Sequence, residues 1–431
     1  MRIAGCGRTK VGPMVLGCRR PSAPAMPPPE AASTPFLDLY GEEFRADPHA
    51  VLRRIREQSW LAATPIGTAV LRYQEVRALL SMPQLRTPGV DFLTMQGITE
   101  GLLVDTMRGF LLNTDGEPHQ RVRRLVSKAF TLRRVEDFRS TIRGIAEELV
   151  AAMAKVDECD FVAGFADPFA LRVLCEFVGI PEGVQAEVRA WTADVGLLFG
   201  LSVEEHSGRI EAALKNLHGF LDELLVKRRQ APRDDLLSAL IAAEEAGELL
   251  TDAELRSMVI TLISAGQGTV QHQLGQAFAA FMEHPRQWRL LADEPTLAAQ
   301  AADEVVRYCP SVLLGVPRLV KTDVEIGGVP FSAGALLVPI TGSANRDAAV
   351  FEDADVLDIS RPRASPPLTY GGGIHYCLGA ALARAELQEA LPLLARRLRE
   401  PTAADPGEWL PPTEGVYGPL RLPVRYRPVS P

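Results

Sequence analysis

The stretch Tyr370-Gly-Gly-Gly-Ile-His-Tyr-Cys-Leu-Gly379 places one cysteine directly after a run of glycines. Residues 380–389 follow as an unbroken run of helix-forming residues and predict a helix. At a helix N-terminus, backbone N–H groups and the positive end of the helix dipole favour the thiolate form of Cys377. Glycine has no Cβ, so this backbone can approach a flat, bulky group closely. These features predict a thiolate that is presented to a bound group.

Two interpretations of Cys377 are open on these features alone. Cysteine is among the most buried residue types, and a single cysteine before a helix often only fills space in a core. A thiolate combined with close backbone approach is also suited to an axial ligand of haem iron, where sulfur donates electron density.

The stretch resembles the haem-ligand loop of cytochromes P450, whose pattern is aromatic-x-x-Gly-x-His/Arg-x-Cys-x-Gly. Tyr370, Gly373, His375, Cys377 and Gly379 occupy its defined positions, and Tyr370 stands where the family usually has Phe. The resemblance implies haem b as the cofactor and Cys377 as the ligand of its iron. It also implies that further residues of this loop contact the cofactor: Thr369, Tyr370, Gly371, His375 and Gly379.

Length, composition and charge indicate a large folded protein and not a nucleic-acid binder. The chain has 431 residues, 47% of them hydrophobic, which is enough for one large core or two smaller ones. Its formal net charge of −8 lacks the basic excess of nucleic-acid-binding proteins. The six cysteines contain no CxxC pair, a pattern typical of a reduced, cytoplasmic protein. No apolar run approaches the roughly 20 residues of a membrane span.

The first segment of the chain differs in composition from the rest. Residues 1–35 are rich in Pro, Ala and Gly and predict a flexible tail, because they offer little to bury. The globular pattern begins at Phe36, so residues 36–431 are predicted to form one cytochrome P450 domain. The resemblance implies a mainly α fold, with a helical bundle around haem and a small β region.

A His–Arg pair marks a second candidate cofactor contact. Pro118 opens a predicted helix in which His119 and Arg123 are four residues apart and share one face. Both side chains can donate charge-assisted hydrogen bonds to a carboxylate, although the spacing fits a solvated basic face equally well. In the family, the matching helix holds a haem propionate, and the resemblance assigns this role to the pair. It places Arg318 at a propionate as well.

A long predicted helix carries the candidate oxygen-activating residues. Thr251 and Glu254 form a capping-box pattern, and Pro285 ends the helix after about Glu283. Its middle contains Ser264-Ala-Gly-Gln-Gly-Thr269, although each mid-helix glycine costs about 1 kcal/mol relative to alanine. Close helix packing or a kink would explain the glycines without any catalytic role.

This segment resembles the I helix of cytochromes P450, whose Ala-Gly-x-acid-Thr motif binds oxygen and delivers protons. Ala265, Gly266 and Thr269 match, but Gly268 replaces the acid. The resemblance implies that Thr269 hydrogen-bonds oxygen, with Gln267 and Gly268 beside it in the catalytic groove. Glutamine cannot titrate. We therefore predict that proton delivery is weakened, substrate-assisted or rerouted through Gln267, Gln271 or an ordered water.

A buried ion pair is expected in the helix that contains Glu304 and Arg307, which are three residues apart. Such a pattern alone is usually a surface pair worth under about 1 kcal/mol. Its place before the cysteine loop resembles the structural K-helix pair of cytochromes P450. The family adds a later arginine, where this chain has Val356. Three arginines are candidate replacements: Arg346, Arg361 and Arg363.

The resemblance places the substrate pocket under the least regular segments. Residues 84–112 are predicted to be a long loop that caps the pocket, and two helices around residues 182–229 to form its lid. Three apolar residues along the haem edge are predicted to face the pocket: Val312, Leu313 and Leu314.

The electron donor must be external, because no glycine fingerprint of a dinucleotide site is present. We expect a ferredoxin with its reductase, acting on a monomeric enzyme. Five cations are candidates for a basic docking face, although a scattered solvated set is an equal alternative: Arg121, Arg124, Lys128, Arg133 and Arg384.

The resemblance implies an enzyme that oxidises a small natural product with O2, by hydroxylation or epoxidation. Because Gly268 replaces the acid, oxidative C–C or C–N coupling of aromatic substrates without oxygen insertion is an alternative. A non-catalytic haem-thiolate sensing protein is a rival of another class, and a protein without haem is the last one.

Overall fold

The computed structural model describes residues 34–200, 203–245, 247–362 and 364–429. Within these ranges the chain forms the helices α1 (Glu42–Ala46), α2 (Pro48–Gln58), α3 (Tyr73–Leu79), α4 (Val90–Thr94), α5 (Leu102–Gly109), α6 (Gly116–Ala129), α7 (Leu132–Met153), α8 (Asp167–Val178), α9 (Gln185–Gly196), α10 (Val203–Gln230), α11 (Leu236–Ala242), α12 (Asp252–Glu283), α13 (Pro285–Asp293), α14 (Ala298–Tyr308), α15 (Thr341–Ala344) and α16 (Ala380–Arg397).

The strands in the same ranges are short. They are β1 (Leu61–Thr64), β2 (Gly67–Val70), β3 (Leu85–Arg86), β4 (Glu158–Asp160), β5 (Glu244–Glu245), β6 (Glu248–Leu249), β7 (Arg318–Val320), β8 (Val324–Ile326), β9 (Val329–Phe331), β10 (Leu336–Pro339), β11 (Leu398–Ala403), β12 (Glu408–Trp409), β13 (Pro419–Arg421) and β14 (Pro423–Pro428). The predicted mainly α class is confirmed.

The helix α12 runs through the largest hydrophobic core. Its N-terminus is the predicted capping box, because Thr251 accepts a hydrogen bond from the Glu254 backbone and the Glu254 side chain accepts one in return. The helix continues without a break past both glycines to Glu283. A Cβ at Gly266 would lie 2.9 Å from a methyl carbon of Leu174 on α8. Glycine at this position therefore lets the Leu174 side chain of α8 pack closely against α12.

The β region forms a five-stranded sheet beside the helices, in the order β1-β2-β10-β7-β3. Strand β10 runs parallel to β2, and the other neighbours are antiparallel. A second sheet has the order β11-β14-β4. The predicted Gly-Gly hairpin is the turn between β8 and β9, where Gly327 and Gly328 have φ of 56° and 79°.

Two segments differ from their predicted form. Residues 84–112 contain α4 and α5 instead of a continuous loop, because Leu93, Leu103 and Met107 bury their side chains in the core. The helix predicted over residues 234–246 ends at Ala242, and the chain continues into the β5–β6 hairpin. Residues 1–33 of the predicted tail lie outside the described residues. No described helix is long and apolar enough to cross a membrane.

Candidate active site

The cysteine loop is closed by its own backbone. The N–H of Cys377 donates to the carbonyl oxygen of Tyr370 at 2.9 Å, three residues before α16 begins. Gly371 and Gly373 have φ of 71° and 62°, in the left-handed region that favours glycine. A Cβ at Gly373 would lie 2.7 Å from the carbonyl oxygen of Leu80. Glycine at position 373 therefore lets the cysteine loop lie directly against the backbone at Leu80.

Cys377 combines solvent accessibility with dense protein surroundings. The residue is exposed to solvent, although protein atoms surround its thiol on most sides. Burial raises the pKa of this thiol, and backbone N–H groups of the α16 N-terminus, together with the charges of Arg123 and Arg384, oppose the shift. The predicted helix-end stabilisation of the thiolate is present but is outweighed by burial in the protein alone. A cationic metal group at the sulfur would favour the thiolate.

A buried histidine without a partner lies beside the loop. His119 on α6 is 2% exposed, and neither of its ring nitrogens has a hydrogen-bond partner. Burial lowers the pKa of His119 to about 4, and the neighbouring His375 and Arg123 add to the shift. His375 in turn bonds a carboxylate oxygen of Asp115 at 3.1 Å. A neutral imidazole with both nitrogens unsatisfied fits a polar group that the protein does not supply.

Two guanidinium groups flank the same loop, and neither has a carboxylate partner among the described residues. Arg123 donates to the carbonyl oxygen of Tyr376 at 2.8 Å. Arg318 is 5% exposed and donates only to backbone carbonyls of its own segment. Burial lowers the pKa of Arg318 to about 10. Both charges contribute to lowering the pKa of His375, so the two cations lie near it, an arrangement that fits an anionic cofactor.

The middle of α12 contains small residues. Ala265 is exposed in the middle of α12, and the hydroxyl of Thr269 donates to the Ala265 carbonyl oxygen at 2.7 Å. A Cβ at Gly268 would meet no atom within 4 Å. The predicted groove residues Ala265, Gly268 and Thr269 therefore border open space, whereas Gly266 packs against α8.

Gln267 does not share this orientation, which corrects its predicted place in the groove. It is 7% exposed, and its amide nitrogen donates to a carboxylate oxygen of Asp167 at 2.8 Å. Its amide oxygen lies 3.5 Å from the hydroxyl of Thr192. Successive helix positions differ by about 100°, so a side chain two residues after Ala265 points to the opposite face. The amide consequently faces α8 and α9.

Two other loop residues, Thr369 and Tyr370, contact neighbouring side chains and backbone of the protein. The Thr369 hydroxyl donates to the carbonyl oxygen of Val306 and accepts from the Asn345 amide, both at 2.8 Å. Its hydrogen-bonding capacity is used by the fold, so the predicted cofactor contact can involve only its other atoms. The Tyr370 ring lies under the guanidinium of Arg384 at 4.4 Å, and its buried hydroxyl has no partner.

The predicted pocket residues separate into two sets. Leu313 is 1% exposed and belongs to the core around α1 and α2, so its side chain does not face the pocket. A Cβ at Gly342 would lie only 2.3 Å from it. Val312 and Leu314 are half-buried, and Leu314 packs against the edge of the same core as Leu313.

The buried ion pair has its third member. Arg307 donates to both carboxylate oxygens of Glu304 at 2.8 Å. Arg361 approaches the same carboxylate at 3.3 Å, whereas Arg346 donates to the carbonyl oxygen of Tyr308. Arg363 lies outside the described residues.

The predicted basic docking face is partly neutralised. Arg121 pairs with Glu254 and Arg384 with Asp303. Arg133 approaches Asp137 at 3.7 Å and stays largely exposed.

Sequence reasoning missed Asp115, Asp167 and Arg189. Asp115 sits at the N-cap position of α6, and its place before the predicted helix is a signal that could have found it. Nothing in the sequence indicates that Asp167 contacts both Gln267 of α12 and Arg189 of α9.

Known proteins resemble this chain over most of its length. The family model described as Cytochrome P450 matches residues 193–409. Luteothin monooxygenase of Streptomyces thioluteus is 36% identical over 399 residues, covering 92% of this chain and 97% of that protein. Mycinamicin IV hydroxylase/epoxidase of Micromonospora griseorubida is 35% identical over 412 residues, covering 92% and 98%. The solved structure of the cytochrome P450 enzyme CxnD, for C–S bond formation in chuangxinmycin biosynthesis, aligns with a TM-score of 0.80 and 28% identity, covering 92% and 99%.

Proposed function

The chain belongs to the cytochrome P450 family of oxidoreductases, and we propose from this premise that it inserts oxygen from O2 into a small natural product. In this reaction one oxygen atom enters the substrate by hydroxylation or epoxidation. The other leaves as water, with two electrons and two protons consumed. The names of the relatives, which include a luteothin monooxygenase and a mycinamicin hydroxylase/epoxidase, support this substrate class.

One observation carries the proposal: Cys377 is accessible to solvent, and its loop adjoins the buried His119 ring and contains the buried Tyr370 hydroxyl, both without hydrogen-bond partners. When bound, haem supplies the electron-transfer and O2 chemistry that side chains lack. Cys377 would be its iron ligand. Arg123 and Arg318 would bind its carboxylates by charge-assisted hydrogen bonds, and neutral His119 would donate a further one.

On the opposite side, α12 would orient oxygen and substrate. The Thr269 hydroxyl holds a proton at Oγ1 and directs it to the Ala265 carbonyl, so it can turn to donate into the groove. Gly268 and Ala265 leave room beside it because their side chains are small or absent. These residues bind and position the reactants.

Aromatic contacts support the proposed lid. The rings of Phe110 and Phe199 stack with centroids 5.9 Å apart, joining α5 to the end of α9. The Gln96 amide oxygen accepts the N–H of Val203, which begins α10. Closure of this lid would exclude water from the groove.

The cheapest test of the cofactor is the carbon monoxide difference spectrum of the reduced protein. We expect the Soret band of a thiolate-ligated haem, and we expect Cys377→Ala to abolish it. A purified protein that binds no haem would overturn the proposal. Electron-dependent consumption of a test substrate would exclude the alternative of a non-catalytic sensing protein, which would bind a ligand without converting it.

Oxidative coupling is a second candidate, and two observations favour it. Gly268 removes the usual acid, and CxnD, which has the same fold, is described as forming a C–S bond. Product mass separates the two reactions. Oxygen insertion adds one oxygen atom, whereas coupling removes two hydrogen atoms as the partners join.

We also propose a ferredoxin and its reductase as electron donors, for a monomeric, cytoplasmic enzyme. The cations of α6 support this docking surface. Lys128→Glu should raise the KM for ferredoxin, most strongly at low salt, because rim charges mainly affect association. Arg427→Glu on β14 is a matched control, and an equal effect of both reversals would argue against docking at α6.

A further inference from the structure

A half-buried carboxylate lies where the turn between β12 and β13 meets the lid. Glu414 belongs to this turn, and its Oε2 lies 3.5 Å from the position that a Cβ would take at Gly200. A Cβ at Gly415 would lie 3.7 Å from the Cβ of Phe199. The tip of the turn therefore contacts the lid between α9 and α10.

The other end of the same turn is fixed to α12. The Gln276 amide donates to the carbonyl oxygen of Tyr417 at 3.2 Å, and the Nδ1 of His272 lies 3.1 Å from the carbonyl oxygen of Pro419. His272 and Gln276 follow Thr269 by three and seven residues, so all three lie on one face of α12. The turn therefore extends from the face of α12 that carries Thr269 to the lid.

The carboxylate of Glu414 lies in a partly dehydrated position. Within the residues that the structure describes, it has no hydrogen-bond donor and no lysine or arginine partner. Burial raises the pKa of Glu414, and the charge of His206 on α10 opposes the shift. Removing a carboxylate from water without supplying a cation is unfavourable, and a bound cation would offset this cost. The position therefore favours a positively charged ligand.

We propose that Glu414 binds a cationic nitrogen of the substrate, at the end of the molecule remote from the carbon that is oxidised beside Thr269. The proposal rests on the proposed function and names a substrate class within it, natural products with an amine that is protonated near pH 7. A carboxylate attracts any organic cation, and a protonated amine also donates charge-assisted hydrogen bonds to it. A metal ion fits less well, since the described residues contain no group of three or more side chains that could hold one.

A structural alternative is that Glu414 only holds the lid closed through His206 in the first turn of α10. The two roles differ in how they depend on the charge of the ligand. A latch affects all ligands alike, because it acts on the lid alone. A binding residue affects a cationic ligand and spares a neutral ligand of the same shape.

The experiment measures the binding of paired probes to the haem-loaded enzyme. Each pair consists of the choline ester of a carboxylic acid and the neutral ester in which a carbon atom replaces the quaternary nitrogen. A quaternary nitrogen has no lone pair, so it cannot bind the haem iron. Affinities for a panel of aromatic and aliphatic esters come from the substrate-induced spin shift and from calorimetry, which needs no turnover. The quantity compared is the ratio of dissociation constants within each pair.

Three variants are compared with the unaltered protein. Glu414→Gln removes the charge and keeps the shape, and Glu414→Lys reverses the charge. Glu204→Gln is the control, because it removes an exposed carboxylate from the first turn of α10 and tests the general effect of charge near the lid. The carbon monoxide spectrum and the unfolding midpoint of each protein identify a variant that does not fold.

We expect at least one cationic probe to bind the unaltered protein about tenfold or more tightly than its neutral partner. Glu414→Gln should bring the two affinities to within about threefold of each other, and Glu414→Lys should favour the neutral probe. Glu204→Gln should keep the preference. If neither Glu414 variant folds, added salt should weaken only the cationic probes in the unaltered protein.

Three results would overturn the assignment of Glu414. They are the absence of any preference in the unaltered protein, an unchanged preference in Glu414→Gln, and an equal loss of both probes in that variant, which is the result expected of a latch. A missing thiolate-type spectrum in the unaltered protein would instead overturn the proposed function.

Discussion

The ring of His119 meets the ring of His375 edge to face, with centroids 4.8 Å apart, and only one of the two has a polar partner. His375 bonds Asp115, whereas both nitrogens of His119 are buried without a partner. An unsatisfied buried polar group costs about 1–3 kcal/mol, so a site of this kind gains from a ligand. His375 is therefore held by Asp115, whereas His119 is available to a ligand, which we propose to be haem.

His119→Phe should weaken haem retention and leave the cysteine ligand intact. Phenylalanine keeps the ring volume but cannot donate to a carboxylate, and a hydrogen bond to a charged group contributes about 1.5–3 kcal/mol. We expect haem transfer to apomyoglobin to become about tenfold faster, with the thiolate-type carbon monoxide band in its usual place. His218→Phe on α10 is the control, and equal rates in both variants would contradict the assignment.

Thr369→Val should destabilise the fold without changing the haem spectrum. It removes the hydroxyl that bonds Val306 and Asn345, and leaves their buried groups unsatisfied. The expected loss in free energy of unfolding is about 1–3 kcal/mol, measured by denaturant titration of the haem-loaded protein. Thr369→Ser keeps both bonds and should lose much less. A shifted Soret band in the Val variant would instead indicate a direct role at the cofactor.

The sequence was sufficient wherever short-range patterns determine the structure. The capping box at Thr251, the Gly-Gly turn and the order of motifs around Cys377 follow from local rules of helix ends, positive φ and spacing. The mainly α fold, which the resemblance of the cysteine loop implied, is confirmed by the structure.

Side-chain direction could not be predicted in the same way. Gln267 turns to Asp167, a residue 100 positions away, and Leu313 turns into a core formed by the N-terminal helices. Both depend on contacts between distant segments. Arg361 replaces an arginine expected near Val356 for a related reason, because the chain between them folds back onto Glu304.

Arg361→Met should cost less stability than Arg307→Met. Removing Arg307 leaves Glu304 buried and without its bidentate partner, which costs about 3–5 kcal/mol. Removing Arg361 leaves that pair in place, so we expect about 1–3 kcal/mol, the cost of losing one partner. Denaturant midpoints of the two haem-loaded variants test the order. Equal losses would show that Arg361 is as essential as the helical pair.

Gly266→Ala and Gly268→Ala should affect stability in opposite directions, although the residues are two apart in one helix. At Gly266 a new Cβ lies 2.9 Å from a Leu174 methyl carbon, and such overpacking costs about 1–3 kcal/mol. At Gly268 it meets nothing within 4 Å, so alanine should stabilise the helix by up to about 1 kcal/mol. Thermal and denaturant unfolding of both variants measure the difference. Gly144→Ala, another helical glycine with open surroundings, is the control and should resemble Gly268→Ala. Destabilisation at Gly268 alone would mean that the groove, and not the helix, requires glycine there.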